Sequence, residues 1–151
     1  MEIVEVSFGE FSITTDKQKM DVEAIHEFLS KYSGWSDNIP FDRVRIFIEN
    51  SLNFGLFHSG KQIGFARVIT DYSTIAYLGD VYILEGYRGL GLSKKLMECI
   101  MGHPNLQGLR RWILLTSTAA WLYEKYGFAR LAKPEKYMEI FNPGVYGKGE
   151  G

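Results

Sequence analysis

The spacing of apolar residues divides the first half of the chain into helical and extended segments. From Asp21 to Tyr32, apolar residues recur every three or four positions, which predicts an amphipathic helix capped by the Asp21 side chain. The segment 41–50 has the same period and predicts a second helix. From position 52 the period changes to two, and the segments 52–58 and 62–70 flank a Ser-Gly-Lys turn. This arrangement predicts a β-hairpin.

The rest of the chain predicts a mixed α/β sheet in one domain. A first strand is expected to end within residues 11–15, ahead of the first helix. The elements expected after the hairpin are a strand, a helix, a strand, a short helix and a last strand, at 75–84, 92–100, 110–116, 119–126 and 136–141. We therefore predict a single domain over residues 1–141. Residues 142–151 are rich in glycine, lack periodicity and are expected to form a flexible tail.

Charge and composition exclude several classes of protein. The chain has 151 residues, a formal net charge of -1 at pH 7 and basic residues spread along its length, so a nucleic-acid partner is not expected. No apolar run approaches the roughly 20 residues that cross a bilayer, and the acidic start of the chain is unlike a signal peptide. We expect no membrane contact and a cytoplasmic location. The single cysteine, Cys99, agrees with a reducing compartment.

The stretch "GYRGLGLSKKLM", residues 86–97, places glycines directly before an amphipathic helix. The first N–H groups of a helix have no partner inside the helix, and the positive end of its dipole lies behind them. Glycines allow a phosphate to approach these groups closely, and Arg88, Lys94 and Lys95 add positive charge nearby. The stretch therefore predicts a phosphate site rather than a simple turn.

Two common nucleotide motifs do not match this stretch. A mononucleotide P-loop starting at Gly86 would need lysine where the chain has Leu92. A dinucleotide fingerprint starting at Gly89 would need glycine at Lys94, and it would open a βαβ unit rather than follow a hairpin. An unrelated nucleotide-binding domain is thus a weaker alternative.

A third motif does match. Arg88, Gly91 and Ser93 have the spacing RxxGxG/A and resemble motif A of the GNAT superfamily of acetyl-CoA-dependent N-acetyltransferases, with Ser93 where the motif has Gly or Ala. The later stretch "TSTAAWLYEKYGF", residues 116–128, is similar to a second signature of that family. Two motifs in the family's order are more specific than one, and the resemblance extends over roughly residues 3–141.

The resemblance implies a fold and a cofactor. The fold would have a central, mostly antiparallel sheet, two early helices, a cofactor-binding helix after the fourth strand and a short C-terminal helix. The preceding strand and the loop would hold acetyl-CoA as co-substrate, through Val81, Tyr82, Ile83, Arg88, Gly89, Leu90, Gly91, Leu92 and Ser93. No metal is expected, since the three histidines and the cysteine lack the spacing of metal ligands.

Acetyl transfer to an amine needs a proton donor for the departing thiolate and a base for the amine. Tyrosine, with a pKa of about 10, stays protonated near neutrality, and Tyr123 matches the position that the family uses for the donor. A role for Tyr123 as a core residue of the short helix is the alternative. Asp80 lies in a predicted central strand, where some family members keep an acidic base, and an acid there is costly unless it is paired or functional. A catalytic and a structural role for Asp80 stay equally open.

The leading hypothesis is an N-acetyltransferase that moves an acetyl group directly, in a ternary complex, to a primary amine of a small molecule or peptide. The alternative is an inactive acyl-CoA-binding sensor or adaptor, and transfer through Cys99 is disfavoured. In the family, the early helices line the acceptor site. In this chain the resemblance implies that the acceptor site is lined by Tyr32, Trp35, Phe41, Arg67, Asp71, Tyr72 and Tyr77. The acceptor stays unidentified, and either a monomer or a homodimer is compatible with the sequence.

Overall fold

Six β-strands form one sheet in the computed structural model, which describes residues 1–147. The strands follow one another in the order β1 to β6, and all neighbours are antiparallel except the parallel pair β5 and β6. Their bounds are Glu5–Phe8 (β1), Phe11–Thr14 (β2), Leu52–His58 (β3), Lys61–Thr70 (β4), Ile75–Ile83 (β5) and Arg111–Leu114 (β6). The predicted mixed sheet is confirmed.

Residues 1–147 also contain four α-helices, of which the last follows β6. They are Val22–Tyr32 (α1), Phe41–Glu49 (α2), Leu92–Met101 (α3) and Ala120–Glu124 (α4). The predicted cap is present, because the Asp21 carboxylate accepts a hydrogen bond from the N–H of Ala24. α4 ends before Gly127, whose φ of 97° lies in the left-handed region that stops a helix. None of the described helices is both long and apolar enough to cross a membrane.

The sheet has a separate apolar cluster on each face. One cluster packs α3 and α4 against the sheet through residues such as Leu96, Ile100 and Phe54. The other packs α1 and α2 against it through Ile25, Val44 and other buried side chains. Because each helix pair needs one apolar face of the sheet, both faces of the central strands are apolar. This explains why β3 is buried along almost its whole length.

Two parts of the strand prediction are wrong. The expected first strand is a hairpin of two strands, β1 and β2, which turns at Gly9 with a φ of 60°. The helix expected after the fourth strand therefore follows the fifth. The expected last strand at 136–141 does not form within the described chain: a short 3-10 helix covers Pro134–Lys136, and the following residues pair with no strand. The alternating pattern is present there, but a strand also needs a hydrogen-bonding neighbour.

A bulge in β5 breaks the alternation of its two faces. An unbroken alternation would put Leu78, Asp80 and Tyr82 on one face. Instead, the register passes from Phe65 opposite Tyr82 to Arg67 opposite Gly79, so two residues of β5 face one residue of β4. As a result Leu78 packs toward α3, whereas Tyr82 packs toward α1 and α2.

The predicted tail lies partly outside the described residues. Residues 142–147 form two turns, with Val145 donating to Asn142 and Gly147 donating to Gly144. Tyr146 is half-buried and packs against the cluster under α1 and α2.

Candidate active site

The glycine loop, residues 86–91, joins β5 to α3 through a backbone path that only glycine follows easily. Gly89 and Gly91 have φ values of 80° and 75°, and Gly91 is the residue that caps the helix. The Arg88 side chain folds back, and its Nε donates to the carbonyl oxygen of Ile83 at 3.2 Å. The loop is thereby tied to the end of β5.

The start of α3 presents unpaired backbone donors. The N–H of Lys95 closes the first turn on the Gly91 carbonyl at 3.3 Å, so the N–H groups of residues 92–94 have no partner inside the helix. No side chain caps them. A Cβ atom built on Gly86, Gly89 or Gly91 would meet no heavy atom within 4 Å, so the space above the loop is open. These features suit a diphosphate, because the helix dipole and free N–H groups both favour negative charge there.

β5 and β6 separate beside this loop. They pair only between Ile75–Leu78 and Arg111–Leu114, although β5 continues to Ile83. The N–H of Leu84 donates to Ile63 in β4, so by the two-residue period the N–H groups of Val81 and Ile83 point away from β4 and into the gap. The gap thus has backbone donors along one wall.

Asp80 is held by two side chains at the bulge of β5. Its Oδ2 accepts from the Nε of Arg67 at 2.8 Å, and its Oδ1 accepts from the indole Nε1 of Trp35 at 2.9 Å. The Arg67 guanidinium lies over the Phe47 ring, 4.1 Å from its centroid. We refer to these four residues as the Asp80 cluster. Asp80 has a φ of 54°, a left-handed conformation that is uncommon outside glycine but that aspartate adopts more readily than most residues.

Tyr123 lies on α4, the helix that follows β6. It is 8% exposed, and burial raises the pKa of its hydroxyl above the ordinary value of about 10. The residue borders a groove of about 230 Å³ along the outer edge of β6, lined by Trp112–Thr116, by Phe128–Leu131 and by parts of α4. We refer to it as the β6 groove. Within the described chain the Tyr123 hydroxyl makes no hydrogen bond, and it is free to donate one.

The family model for the acetyltransferase (GNAT) domain matches residues 45–130, more than half of the chain. The chain belongs to the GNAT acetyltransferase family. The matched range includes the glycine loop, the Asp80 cluster except Trp35, and Tyr123. Members of this family bind acetyl-CoA.

Similar proteins agree with this assignment. A crystal structure of a protein from Xanthomonas campestris pv. campestris, assigned to the GNAT family, is 46% identical, with a TM-score of 0.90, and the match covers 94% of this chain and 100% of that one. A Gibberella zeae protein named as a candidate acetyltransferase, FG08082, is 30% identical over 78% of this chain and 77% of its own. A Clostridium acetobutylicum protein solved with acetyl-CoA has a TM-score of 0.64, covering 93% of this chain and 95% of that one; at 15% identity, it shows the fold alone.

The structure brings together only part of the expected acceptor wall. Trp35 and Arg67 contact Asp80 directly, and Tyr77 is close enough that the Asp80 charge adds to burial in raising its pKa. Asp71 instead organises the turn between β4 and β5. Its carboxylate accepts hydrogen bonds from the hydroxyl of Thr74 and from three backbone N–H groups, and these bonds hold its pKa well below the usual range.

The remaining expected wall residues lie apart from Asp80. Tyr72 is in the same turn as Asp71, with a φ of 59°. Tyr32 is exposed and contacts Phe28, whereas Phe41 packs against the ring of His26. None of these rings has a contact with the Asp80 cluster in the described chain.

Phe47 is the site residue that sequence reasoning missed. Its pattern in α2 is that of an ordinary core position, and only the fold shows that Arg67 stacks on it. The one signal in the sequence for such a contact was Arg67, a charged residue within an apolar strand. A buried charged side chain requires a partner. Among residues 1–147, no group of three His, Cys, Asp or Glu residues lies close enough to hold a metal.

Proposed function

We propose that this protein transfers the acetyl group of acetyl-CoA to a primary amine of a small molecule or peptide, by direct transfer in a ternary complex. The observation that carries the proposal is the open start of α3, with Gly89 and Gly91 in left-handed conformations and three N–H groups without helical partners. This feature lies at the mouth of the gap between β5 and β6. The family membership of the chain supports the same activity.

The diphosphate of acetyl-CoA would bind at the glycine loop and the first turn of α3. Gly89 to Ser93 supply backbone donors, whereas the N–H of Arg88 already donates to the Glu85 carbonyl, and the exposed Lys94 and Lys95 add positive charge. The pantetheine arm would extend along β5 beside Val81, Tyr82 and Ile83, where the outward N–H groups of the strand match the amides of the arm. These same donors are suited to polarise the thioester carbonyl.

In the transfer step, the amine nitrogen bonds to the thioester carbon and the carbon–sulfur bond breaks. The departing thiolate takes a proton, and we assign its donor as Tyr123. Because burial raises the pKa of Tyr123, the hydroxyl stays protonated across the neutral range. It therefore has a proton to donate to the departing thiolate, whose conjugate thiol has a pKa of about 8.5.

The attacking amine must first lose a proton, since an alkylamine has a pKa of about 10.4. We assign Asp80 as the acceptor of this proton, directly or through a water molecule. Each of its oxygens already accepts one hydrogen bond, from Arg67 or Trp35, and each retains a second lone pair.

Direct transfer is preferred over a covalent intermediate on Cys99. This thiol lies half-buried on α3, and burial raises its pKa, so little thiolate forms at neutral pH.

The first experiment tests which class of cofactor the protein binds. The purified protein is heated with acetyl-CoA, ATP or NAD, and its melting temperature is followed. Acetyl-CoA alone should raise it, because a ligand that binds only the folded state stabilises that state. Stabilisation by ATP or NAD instead would contradict the acetyl-CoA assignment.

The second experiment separates an enzyme from an inactive sensor. Thiol release from acetyl-CoA is measured over a panel of small amines and lysine-containing peptides, for the wild type and Tyr123→Phe. We expect kcat to fall by about 100-fold in the variant, with acetyl-CoA affinity unchanged. Tyr126→Phe is the matched control, because Tyr126 is half-buried and its hydroxyl makes one hydrogen bond within residues 1–147, to the Lys94 carbonyl at 3.5 Å. An equal rate in wild type and Tyr123→Phe removes Tyr123 from the mechanism, and binding without release on any amine favours the sensor.

A further inference from the structure

Three aromatic rings of α1 and the loop after it form an exposed group beside the Asp80 cluster. The centroid of the Phe28 ring lies 6.4 Å from that of Tyr32 and 6.3 Å from that of Trp35. We refer to Phe28, Tyr32 and Trp35 as the α1 rings. Tyr32 and Trp35 are 68% and 55% exposed, although large rings stabilise a fold mainly when they are buried. A group of exposed aromatic side chains of this kind is typical of a binding surface.

Contacts with β5 hold the α1 rings in place. Phe28 stacks on Tyr82 of that strand, with ring centroids 3.8 Å apart and an angle of 10° between the two planes. The indole Nε1 of Trp35 donates to the Asp80 carboxylate at 2.9 Å. Because both contacts lead to β5, the rings have a fixed position relative to that strand. A surface that is preformed in this way loses little conformational entropy when a ligand binds.

The α1 rings lie next to the point where β5 and β6 separate. Leu78 is the last residue of β5 that pairs with β6, and Asp80 follows two positions later. Trp35 contacts Asp80 directly. The ring of Tyr77 lies over Gly79, where an added Cβ would be 3.0 Å from its Cε1 atom. The carboxylate assigned as proton acceptor is therefore close to aromatic rings from two elements, and an amine that reaches it places its attached group against them.

The charged side chains around the α1 rings already have partners. The Asp80 carboxylate pairs with Arg67 at 2.8 Å. On α1, Lys31 pairs with Glu27 at 3.6 Å, and in the following loop the Asp37 carboxylate accepts a backbone N–H of its own turn. A second ammonium group or a phosphate on the acceptor would have to compete with these contacts. The charges therefore favour an acceptor with one amino group and no anionic group.

We propose that the α1 rings bind an aromatic primary amine, in which one amino group is joined to one aromatic ring by a short alkyl chain. The role of this amine as acceptor rests on the proposed function, whereas its binding rests on the contacts of the rings. The exposed faces of the rings suit a further aromatic ring, because aromatic pairs attract each other beyond the effect of the area that they bury. Before it loses its proton, the ammonium group is also attracted by these faces and by Asp80.

The first test compares amines that differ only in the group at the end of a two-carbon chain. The probes are 2-phenylethylamine, 2-aminoethanol, 1,2-diaminoethane and O-phosphoethanolamine, titrated calorimetrically into the full chain with CoA present, so that no acetyl group can be transferred. We expect 2-phenylethylamine to bind at least about 10-fold more tightly than each of the others. Equal or tighter binding of the diamine or the phosphorylated amine overturns the proposal.

One further amine distinguishes an aromatic group from an apolar group of similar size. In the same titration, 2-cyclohexylethylamine should bind about 3-fold more weakly than 2-phenylethylamine, because it can be buried but cannot stack as an aromatic ring. Equal or tighter binding of the cyclohexyl amine would mean that the site selects apolar bulk, and it overturns the assignment of an aromatic amine.

The second test uses a matched pair of variants at Trp35. Trp35→Phe and Trp35→Leu both remove the N–H that donates to Asp80, but only the phenylalanine variant keeps a ring. We expect 2-phenylethylamine to bind about 5-fold more weakly to Trp35→Leu than to Trp35→Phe. The binding of 2-aminoethanol should be the same in both variants. Equal binding of 2-phenylethylamine to the two variants contradicts a contact with this ring.

The third test locates the amine in the unaltered protein by NMR. The chain has three tryptophans, and each gives its own indole N–H resonance. We expect 2-phenylethylamine to shift the resonance of Trp35, while those of Trp112 and Trp121 serve as internal controls and stay in place. A shift of Trp112 or Trp121 without a shift of Trp35 would place the amine elsewhere and overturn the proposal.

The outcomes separate this inference from the proposed function. Thiol release from acetyl-CoA with other amines, but not with 2-phenylethylamine, would retain acetyl transfer and overturn the aromatic acceptor. Thiol release with no amine, together with tight binding of 2-phenylethylamine at Trp35, would overturn acetyl transfer and retain the binding site.

Discussion

The glycine loop and the Asp80 cluster lie close to the same gap but are built in opposite ways. The loop offers main-chain N–H groups from consecutive residues, and the glycines only leave room for a ligand. The Asp80 cluster offers side chains from four separated parts of the chain, joined by one ion pair, one indole hydrogen bond and one cation–π contact. A main-chain site is insensitive to most side-chain changes, whereas a side-chain cluster depends on each of its members.

The two regions also differ in how much hydration their polar and charged groups lose in the folded protein. The N–H groups of the loop face open space and are solvated when no ligand is bound. The Asp80 and Arg67 side chains are 8% and 18% exposed. Each charge therefore needs the other to compensate for the hydration that it loses on burial. Substitutions should therefore affect binding at the loop and folding stability at the cluster.

The largest expected effect is on stability, from Arg67→Met. This change keeps the length of the side chain but leaves the nearly buried Asp80 carboxylate without its cation. We expect the free energy of unfolding to fall by about 3 kcal/mol, because one charge of a buried pair remains uncompensated. Urea unfolding at neutral pH measures it.

Arg45→Met is the matched control for this change. Arg45 pairs with Asp42 at 3.7 Å, but both side chains are more than half exposed. Its loss should cost less than about 0.5 kcal/mol. Equal losses for the two variants would mean that burial does not distinguish the Asp80 cluster from an ordinary surface pair.

The next effect is on binding, from Gly91→Asp. Aspartate tolerates left-handed backbone and is a good helix cap, so the fold should be retained. Its charge would repel a diphosphate at the start of α3. We expect the affinity for acetyl-CoA to fall by about 30-fold, or about 2 kcal/mol, in calorimetric titration.

Gly91→Asn isolates the charge in this experiment. The amide has the shape and capping ability of the carboxylate but no charge, so it should bind acetyl-CoA more tightly than Gly91→Asp. Gly86→Ala, at a position with ordinary φ and open space, should bind like the wild type. If the Asp and Asn variants bind equally well, the diphosphate lies somewhere other than at this helix.

The contrast between the two regions also explains what the sequence could predict. The helix start, its glycines and its cationic neighbours occupy consecutive positions, so their pattern is visible without a fold. The short helix with Tyr123 was likewise visible as a local signature. The mixed α/β class followed from the apolar periods, whereas the mostly antiparallel sheet was implied by the family resemblance, because strand pairing joins distant segments.

The Asp80 cluster was not visible in the same way. Asp80 stood out as an acid in a strand, but the bulge that changes its face depends on the pairing of β4 with β5. Its contact with Trp35 joins residues 45 positions apart, through a loop whose direction has no sequence signal. The same limit applies to the expected last strand, whose pattern is local but whose partner is not.

The smallest expected effect concerns the link between that loop and β5. Trp35→Phe keeps an aromatic ring but removes the N–H that Asp80 accepts at 2.9 Å. Since the ring is 55% exposed, water partly replaces the lost donor, and we expect a loss of about 1 kcal/mol in the free energy of unfolding. A double-mutant cycle with Asp80→Ala isolates the pair, because alanine leaves no acceptor for the indole N–H and the cycle subtracts the other contacts that each single change alters. A coupling near 1 kcal/mol would show that the loop after α1 is held to the β5 bulge in solution, which fixes one wall beside Asp80. A coupling of zero would separate Trp35 from the cluster and leave Arg67 as the one side chain that holds the Asp80 carboxylate.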